Sequence, residues 1–336
     1  MVFLYFCIFF VGALAEGKEV IYAGEPGALP TFEIWKENFK KEAREKYSIR
    51  QDVLDIAFKD VRENEKIIHL DRNQPETQKT FLDYYGSIVN KSRIERGRNQ
   101  LKQYEKILNK ATQRYGVPPY LIVAFWDMET HFGKNMGRSY IINVLSNLVF
   151  DGRRKTLFTK ELIHALQIIQ KKQIKIENFK GSWAGAFGNF QFMPSTFVNY
   201  AVDGDKDGKI DLYNSIPDAV FSAANYLSKM GWNSKYRWGR PVNFDVNNEK
   251  LWSLANSKEW RDLSFFINNG VKSYNGKSIQ NAKNLKAKIV APMGKEGPLF
   301  LVYENFRVIM RWNNSTKYAL SIGLLSDAYL YGETLK

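Results

Sequence analysis

From residue 31 onward, apolar positions recur with the period of an α-helix. Trp35, Phe39, Ala43 and Tyr47 stand four apart and charged residues fill the other faces, so residues 31–61 are predicted to form amphipathic helices. Asp71-Arg-Asn-Gln-Pro-Glu76 interrupts the pattern at Pro75. Helical spacing resumes over residues 79–89 and 92–115, which predicts an all-helical platform.

A different pattern starts at Gly116-Val117-Pro118-Pro119, where prolines fit the first turn of a helix because the N–H groups there have no helical partner. Residues 121–126, Leu-Ile-Val-Ala-Phe-Trp, are apolar on every face, which predicts a central, buried helix. Helical patterns continue over residues 159–171 and 218–230. After Trp238-Gly239-Arg240-Pro241 the chain turns to Asn, Ser and short apolar pieces at 286–290 and 300–303, so a small strand-containing module is expected over 241–298. A helix follows near 318–330. The fold class implied is mainly α, of α+β type, without internal repeat or low-complexity tract.

Composition refines this picture. At 336 residues, 44% hydrophobic and 25% charged, the chain is ordinary globular material for two or three domains. Residues 1–15 carry no charge and end in Ala13-Leu14-Ala15, which reads as a secretory signal cleaved before Glu16. The run is too short to span a bilayer, which takes about 20 apolar residues, and it lacks the usual basic start. Cys7, the only cysteine, lies within it, too deep for a lipid-attachment site, so the mature part has no disulfide or thiol chemistry. The net charge of +14 therefore belongs to the exported part and favours a polyanionic partner. Cell-wall polymer or membrane headgroups fit that address better than nucleic acid, and a merely soluble basic surface is the plain alternative.

Candidate chemistry begins with residues 181–195, Gly-Ser-Trp-Ala-Gly-Ala-Phe-Gly-Asn-Phe-Gln-Phe-Met-Pro-Ser. Glycines allow close backbone approach and positive φ. Ser182 and Gln191 offer hydrogen bonds, and Trp183, Phe190 and Phe192 offer flat faces, a mixture suited to a glycan. A tight, buried helix connection is the competing reading. Upstream, Glu129 sits near the end of the apolar helix with Trp126, Phe125 and Ile122 at i−3, i−4 and i−7. A carboxyl group against such surfaces is poorly solvated, which raises its pKa and suits a general acid. An ordinary helix-end residue paired with Lys134 or Arg138 is the alternative. A hydrolase would need a second carboxylate about 5–10 Å away. Asp127 points about 200° around the helix from Glu129, and Asp151 lies in a polar turn, so no partner stands out. A mechanism with one carboxylate would account for that.

Asp203-Gly-Asp205-Lys-Asp207-Gly208-Lys209-Ile210-Asp211 matches the first nine positions of an EF-hand loop, with acidic residues at alternate positions and glycine at the sharp turn. The twelfth position is Asn214 instead of Glu, and Asp218 is placed to wrap back and supply the missing oxygens. The expected ion is a single structural Ca2+, with Lys209 giving only its backbone carbonyl. No organic cofactor is expected.

These residues together resemble the lytic murein transglycosylases of the B type. The likeness rests on residues 71–76, Tyr115-Gly-Val-Pro-Pro119, Glu129-Thr130, residues 181–195, the acidic loop, and Asn305-Phe-Arg-Val-Ile-Met-Arg-Trp-Asn-Asn-Ser315 with Tyr318-Ala319. It implies a helical domain over 16–110 completed by 316–336, a lysozyme-like core over 111–240 holding the metal loop 203–218, the small β-containing domain 241–298, and a return segment 299–315. It also implies non-hydrolytic cleavage of the β-1,4 bond between N-acetylmuramic acid and N-acetylglucosamine, with Glu129 as sole acid/base. Tyr84, Ser182, Gln191, Phe192, Tyr226 and Asn313 would contact the glycan. Asp203, Asp205, Asp207, Lys209 and Asp218 would form the metal set. Trp312 stands where the family commonly has Tyr, and the metal loop is one residue longer than usual. The expected form is a soluble periplasmic monomer acting on peptidoglycan strands, with cell-wall synthesis proteins as further partners. A water-using lysozyme-type muramidase, a non-catalytic wall-binding protein and, more remotely, a calcium-dependent regulator remain as alternatives on the sequence.

Overall fold

The four-residue apolar spacing folds as a helix, α1 (Phe32–Tyr47), which buries Phe32, Trp35, Phe39 and Ala43. Tyr47 departs from the expectation and is 41% exposed, because the helix ends there with Ser48 in the left-handed region. The structure, a computed structural model, describes residues 31–73, 79–332 and 334–335; the signal reading of residues 1–15 lies outside them. The described chain divides into two units, with elements numbered along the sequence.

The first unit comprises residues 31–73 and 129–223. Besides α1 it holds α2 (Gln51–Phe58), α3 (Glu65–Arg72), the antiparallel pair β1 (Ser139–Tyr140) and β2 (Lys180–Gly181), α8 (Ile141–Phe150), α9 (Lys155–Gln170) and α10 (Pro194–Tyr200). Phe150, ending α8, packs edge-on against Phe32 at 5.1 Å. Asn147 ties the α2–α3 turn to α8 by accepting from Asn64 N at 2.7 Å and donating to the Arg62 carbonyl at 2.9 Å. Asp71, from the interrupting hexapeptide, is buried and ion-paired with Arg153 and Arg154.

The second unit comprises residues 79–128 and 224–335. It opens with α4 (Phe81–Ile88), α5 (Lys91–Gln103) and α6 (Glu105–Tyr115). The single stretch predicted over 92–115 is thus two helices. They break at Tyr104, whose ring packs edge-on against Trp126 at 5.4 Å. α7 (Pro119–Thr130) and α11 (Ile216–Lys229) are each shared between the units along their length. The strands β3 (Gly239–Asn243), β4 (Arg261–Asp262), β5 (Lys272–Ser273), β6 (Lys286–Val290) and β7 (Leu299–Tyr303) form one antiparallel sheet in the order β4-β6-β7-β3-β5. The short helices α12 (Glu249–Trp252) and α13 (Leu263–Asn268) close its core, in which Val242, Leu251, Phe266, Ile289 and Leu301 are buried. The chain then returns through α14 (Glu304–Trp312) and α15 (Thr316–Tyr331). α15 is buried on nearly all faces and is approached closely by α5 and by Trp238, since Gly97 and Gly323 leave no room for a Cβ against Tyr329 and Trp238. Among the described residues no helix is long and apolar enough to cross a membrane.

Candidate active site

Ile122, Val123, Ala124 and Phe125 on α7 are wholly buried, as a run apolar on every face predicts. Glu129 is the penultimate helical residue and only 2% exposed. Its position in the last turn sets it at the negative end of the helix dipole, which disfavours a carboxylate. The helix stops abruptly, because His131, Phe132 and Gly133 take φ of 50°, 62° and 81° in succession. Thr130 pins this end by accepting from Gly133 N at 2.9 Å and donating to the Asn189 carbonyl at 2.7 Å. The helix carrying Glu129 is thereby fastened to the 181–195 segment.

That segment is a rigid set of small turns. β2 pairs with β1 through Ser139↔Gly181 and Tyr140↔Lys180. Gly137, at φ 87°, passes so close to the Gly181 carbonyl that a Cβ would collide with backbone. Ser182 is half-buried, and its N–H donates to the Ala186 carbonyl at 2.7 Å while its Oγ accepts from Ala186 N at 3.1 Å. Phe187 and Phe192 exchange backbone bonds of 2.9 Å around the turn. Gln191 holds a φ of 50°, a conformation that costs of order 1–3 kcal/mol and marks an over-determined site. Its amide donates to the carbonyls of Met136 and Gly188, both at 3.1 Å, so its donors serve the loop and its oxygen is the group with acceptor capacity left. Phe192 is 2% exposed.

Two supports of this segment were not legible in the sequence. Asn189 donates to the carbonyls of Leu212 at 3.0 Å and Tyr213 at 2.9 Å, which links the segment to the acidic loop's exit. Glu161 of α9 is 5% exposed and accepts from Ser195 N at 2.9 Å and Ser195 Oγ at 2.7 Å, satisfying the start of α10. Burial pushes the Glu161 carboxyl up. Nothing in the local spacing around Glu161 marks it, although an uncapped Pro-Ser helix start calls for an acceptor.

In the acidic loop, one carboxylate oxygen each from Asp203, Asp205 and Asp218 lies within 4.8 Å of the others. Asp207 is not in that group; its Oδ1 accepts from Lys209 N at 2.8 Å. Asp218 does reach back, accepting from Gly204 N and Asp211 N, both at 2.7 Å. Burial raises the Asp218 carboxyl, partly offset by these bonds, and the nearby Asp205 charge adds to the rise. Three convergent oxygens of hard, anionic character fit a cation such as Ca2+.

In the second unit, Asp127 is fully buried, and its Oδ2 accepts from Arg93 Nε at 2.7 Å and the Tyr329 hydroxyl at 2.6 Å. Arg93 Nη2 also donates to the Asp127 carbonyl at 3.1 Å. Burial, with the Asp127 charge, pushes the Tyr329 phenol well up. Asp127 is therefore a structural anchor of α7, as its angle around the helix suggests. Asp151, in the first unit, is engaged by Arg72 at 2.5 Å. Tyr226 and Asn313 come together through the end of α14. Tyr226 donates to the Arg311 carbonyl at 2.9 Å and packs edge-on against Trp312 at 5.1 Å, next to Asn313. Asn313 is 3% exposed, and its Oδ1 is buried with no hydrogen-bond partner among the described residues. Tyr84 is 8% exposed on α4.

The chain matches the family of transglycosylase SLT domains over residues 31–327. It is 33% identical to the membrane-bound lytic murein transglycosylase B of Escherichia coli (strain K12) over 262 residues, 74% of this chain and 67% of that protein. Among solved structures, SltB3 from Pseudomonas aeruginosa in complex with NAG-anhNAM-pentapeptide is similar at 35% identity and a TM-score of 0.86, covering 91% of this chain and 81% of that one. An Escherichia coli lytic transglycosylase in complex with calcium is similar at 30% identity and a TM-score of 0.76, covering 88% and 93%.

Proposed function

The chain belongs to the transglycosylase SLT domain family and is a lytic transglycosylase acting on peptidoglycan, and we propose that Glu129 alone serves as its acid and base. The observation that carries this reading is the disposition of carboxylates along α7 and the turn after α8. Glu129 is buried at a helix end, while Asp127 and Asp151, the candidates for a second catalytic carboxylate, are held by Arg93 and Arg72. Glu129 gives its proton to the oxygen linking N-acetylmuramic acid to N-acetylglucosamine, and the C1–O bond breaks as the N-acetylglucosamine end leaves. The 2-acetamido group stabilises the cationic C1. The Glu129 carboxylate then takes the proton of the muramoyl C6 hydroxyl, whose oxygen closes on C1 to give the 1,6-anhydro ring. No water enters, and Glu129 ends protonated as it began. That a similar protein is seen with an anhydro-sugar ligand supports this product.

Glycan contacts are assigned unit by unit. In the first, Ser182, Gln191 through its amide oxygen, and Phe192 contact the sugars. In the second, Tyr84, Tyr226 and Asn313 do so, with the buried, unpartnered Asn313 Oδ1 as acceptor for a sugar hydroxyl or acetamido N–H. Asp203, Asp205, Asp207, the Lys209 carbonyl and Asp218 hold one Ca2+ that braces the loop behind the 181–195 segment; the convergence of three of these carboxylates supports it. The ion has no part in bond cleavage. The protein acts in the periplasm as a monomer, exported by the apolar residues 1–15.

Mass spectrometry of fragments released from purified peptidoglycan tests the mechanism. The unaltered protein is expected to release anhydromuramoyl products, and Glu129→Gln to lower the rate roughly a thousandfold or more. Reducing muramic ends from the unaltered protein would mean a hydrolase. Undiminished anhydro products from Glu129→Gln would remove Glu129 from its role.

A further inference from the structure

The second unit contains a cavity of about 290 Å³ at the start of α7, more than two helical turns before Glu129. Its wall is rich in aromatic rings, with Tyr120, Trp232, Tyr236 and Tyr331 among them. Asp327 and Arg237 lie in the same wall, ion-paired at 2.6 Å. The Trp238 indole donates to Asp327 at 3.1 Å, and both bonds end on Oδ2, so the carboxylate keeps acceptor capacity. Two buried donors remain unmet among the described residues, the indole N–H of Trp232 and the Nε–H of Arg237. A buried donor without a partner costs about 1–3 kcal/mol. Trp232 and Arg237, which carry them, line the aromatic cavity together with the partly free carboxylate, so a ligand with matching acceptors and donors would satisfy them once these side chains turn toward it.

The chemistry of the wall selects the ligand. The enclosed carboxylate repels a phosphate or a second carboxylate beside it, despite the exposed Lys235 at the rim. The flat rings favour a molecule with an apolar face, and the volume lies near the lower end for small-molecule sites. We propose that this cavity is a second saccharide site that takes one N-acetylhexosamine ring, separate from the site of bond cleavage. Trp232 and Arg237 donate to the acetamido carbonyl and a ring or hydroxyl oxygen, Asp327 accepts from a hydroxyl, and an aromatic ring lies along the apolar face of the sugar. Such a site would hold the enzyme on a glycan strand that it is not cutting.

The test uses the full chain bearing Glu129→Gln, labelled with 15N at its tryptophan indoles, and follows each N–H signal during titration with N,N′-diacetylchitobiose. The Trp232 signal is identified by its loss in Trp232→Phe. It is expected to move saturably, and Asp327→Asn is expected to weaken that binding roughly tenfold or more while leaving saccharide-induced changes at Trp312 intact. The proposal is overturned if Trp232 does not respond to the saccharide, if it responds instead to inorganic phosphate or D-alanyl-D-alanine, or if Asp327→Asn with a native spectrum leaves the response unchanged. If Asp327→Asn does not fold, calorimetric titration of Glu129→Gln with and without Trp232→Phe decides. One saccharide site fewer supports the proposal, and equal stoichiometry overturns it. Because binding is read without turnover, a different catalytic mechanism at Glu129 would leave this result untouched.

Discussion

Replacing Asp127 by Ala removes a carboxylate that Arg93 and Tyr329 share. The side chains of Arg93 and Asp127 are 6% and 0% exposed, so no solvent takes over the pairing. Deleting one member of a buried ion pair costs about 3–5 kcal/mol, because the remaining buried charge loses a close partner that no water replaces. The orphaned Tyr329 hydroxyl adds to this, though not in full, since the three groups form one network and do not add. A loss of about 4 kcal/mol is expected, a large share of the roughly 5–15 kcal/mol that holds a domain together. For a unit of this size that corresponds to a fall in Tm of about 8–16 °C. Scanning calorimetry measures it. The paired variant Arg93→Met with Asp127→Leu is expected to recover most of the loss, because well-packed apolar replacements of a buried ion pair are often neutral. A loss below about 1 kcal/mol for Asp127→Ala, or no recovery in the paired variant, would refute the anchoring argument.

Asp327 offers a pH test. Burial raises its pKa from 3.8 to about 6, with Arg237 opposing the shift. Between those values the folded state binds more proton than the unfolded, so this group's contribution to stability falls as pH rises through that window, by about 3 kcal/mol in all. Asp327→Asn cannot titrate; relative to the unaltered protein it should gain stability by up to that amount between about pH 4 and about pH 7 in urea melts, and a constant difference would contradict the burial argument. Calcium at about a hundred times its Kd should stabilise by about 2.7 kcal/mol, and Asp203→Ala with Asp218→Ala should abolish the rise in Tm; an unchanged rise in that variant would move the ion elsewhere. Gly137→Ala combines a forbidden φ with a collision against the Gly181 carbonyl. It should cost about 2 kcal/mol or more by thermal melting, and a neutral result would mean that the β1–β2 pair gives way easily.

The local chemistry of this protein is written in neighbouring residues. An apolar run on all faces marks α7 as central, and Glu129, the proposed acid, stands three residues past the end of that run. Alternate aspartates and a turn glycine mark the acidic loop in the same way. Helix periods, the strand pieces at 286–290 and 300–303, and the glycine-rich turns belong to this class, because each is set by sterics and hydrogen bonds within a few residues. The tertiary structure decided what joins distant parts. Arg93 and Tyr329 lie 34 and 202 positions from Asp127, so only packing reveals that its charge is spent on holding α7. Packing also leaves Asp207 outside the convergent carboxylates, breaks the long helix at Tyr104 against Trp126, and exposes Tyr47 where its periodicity called for burial. The order β4-β6-β7-β3-β5 and the caging of α15 are of the same kind. A period in the sequence reports which face of an element seeks cover. Which partner covers it depends on closing loops of tens to hundreds of residues, and that choice is settled only when the whole chain packs.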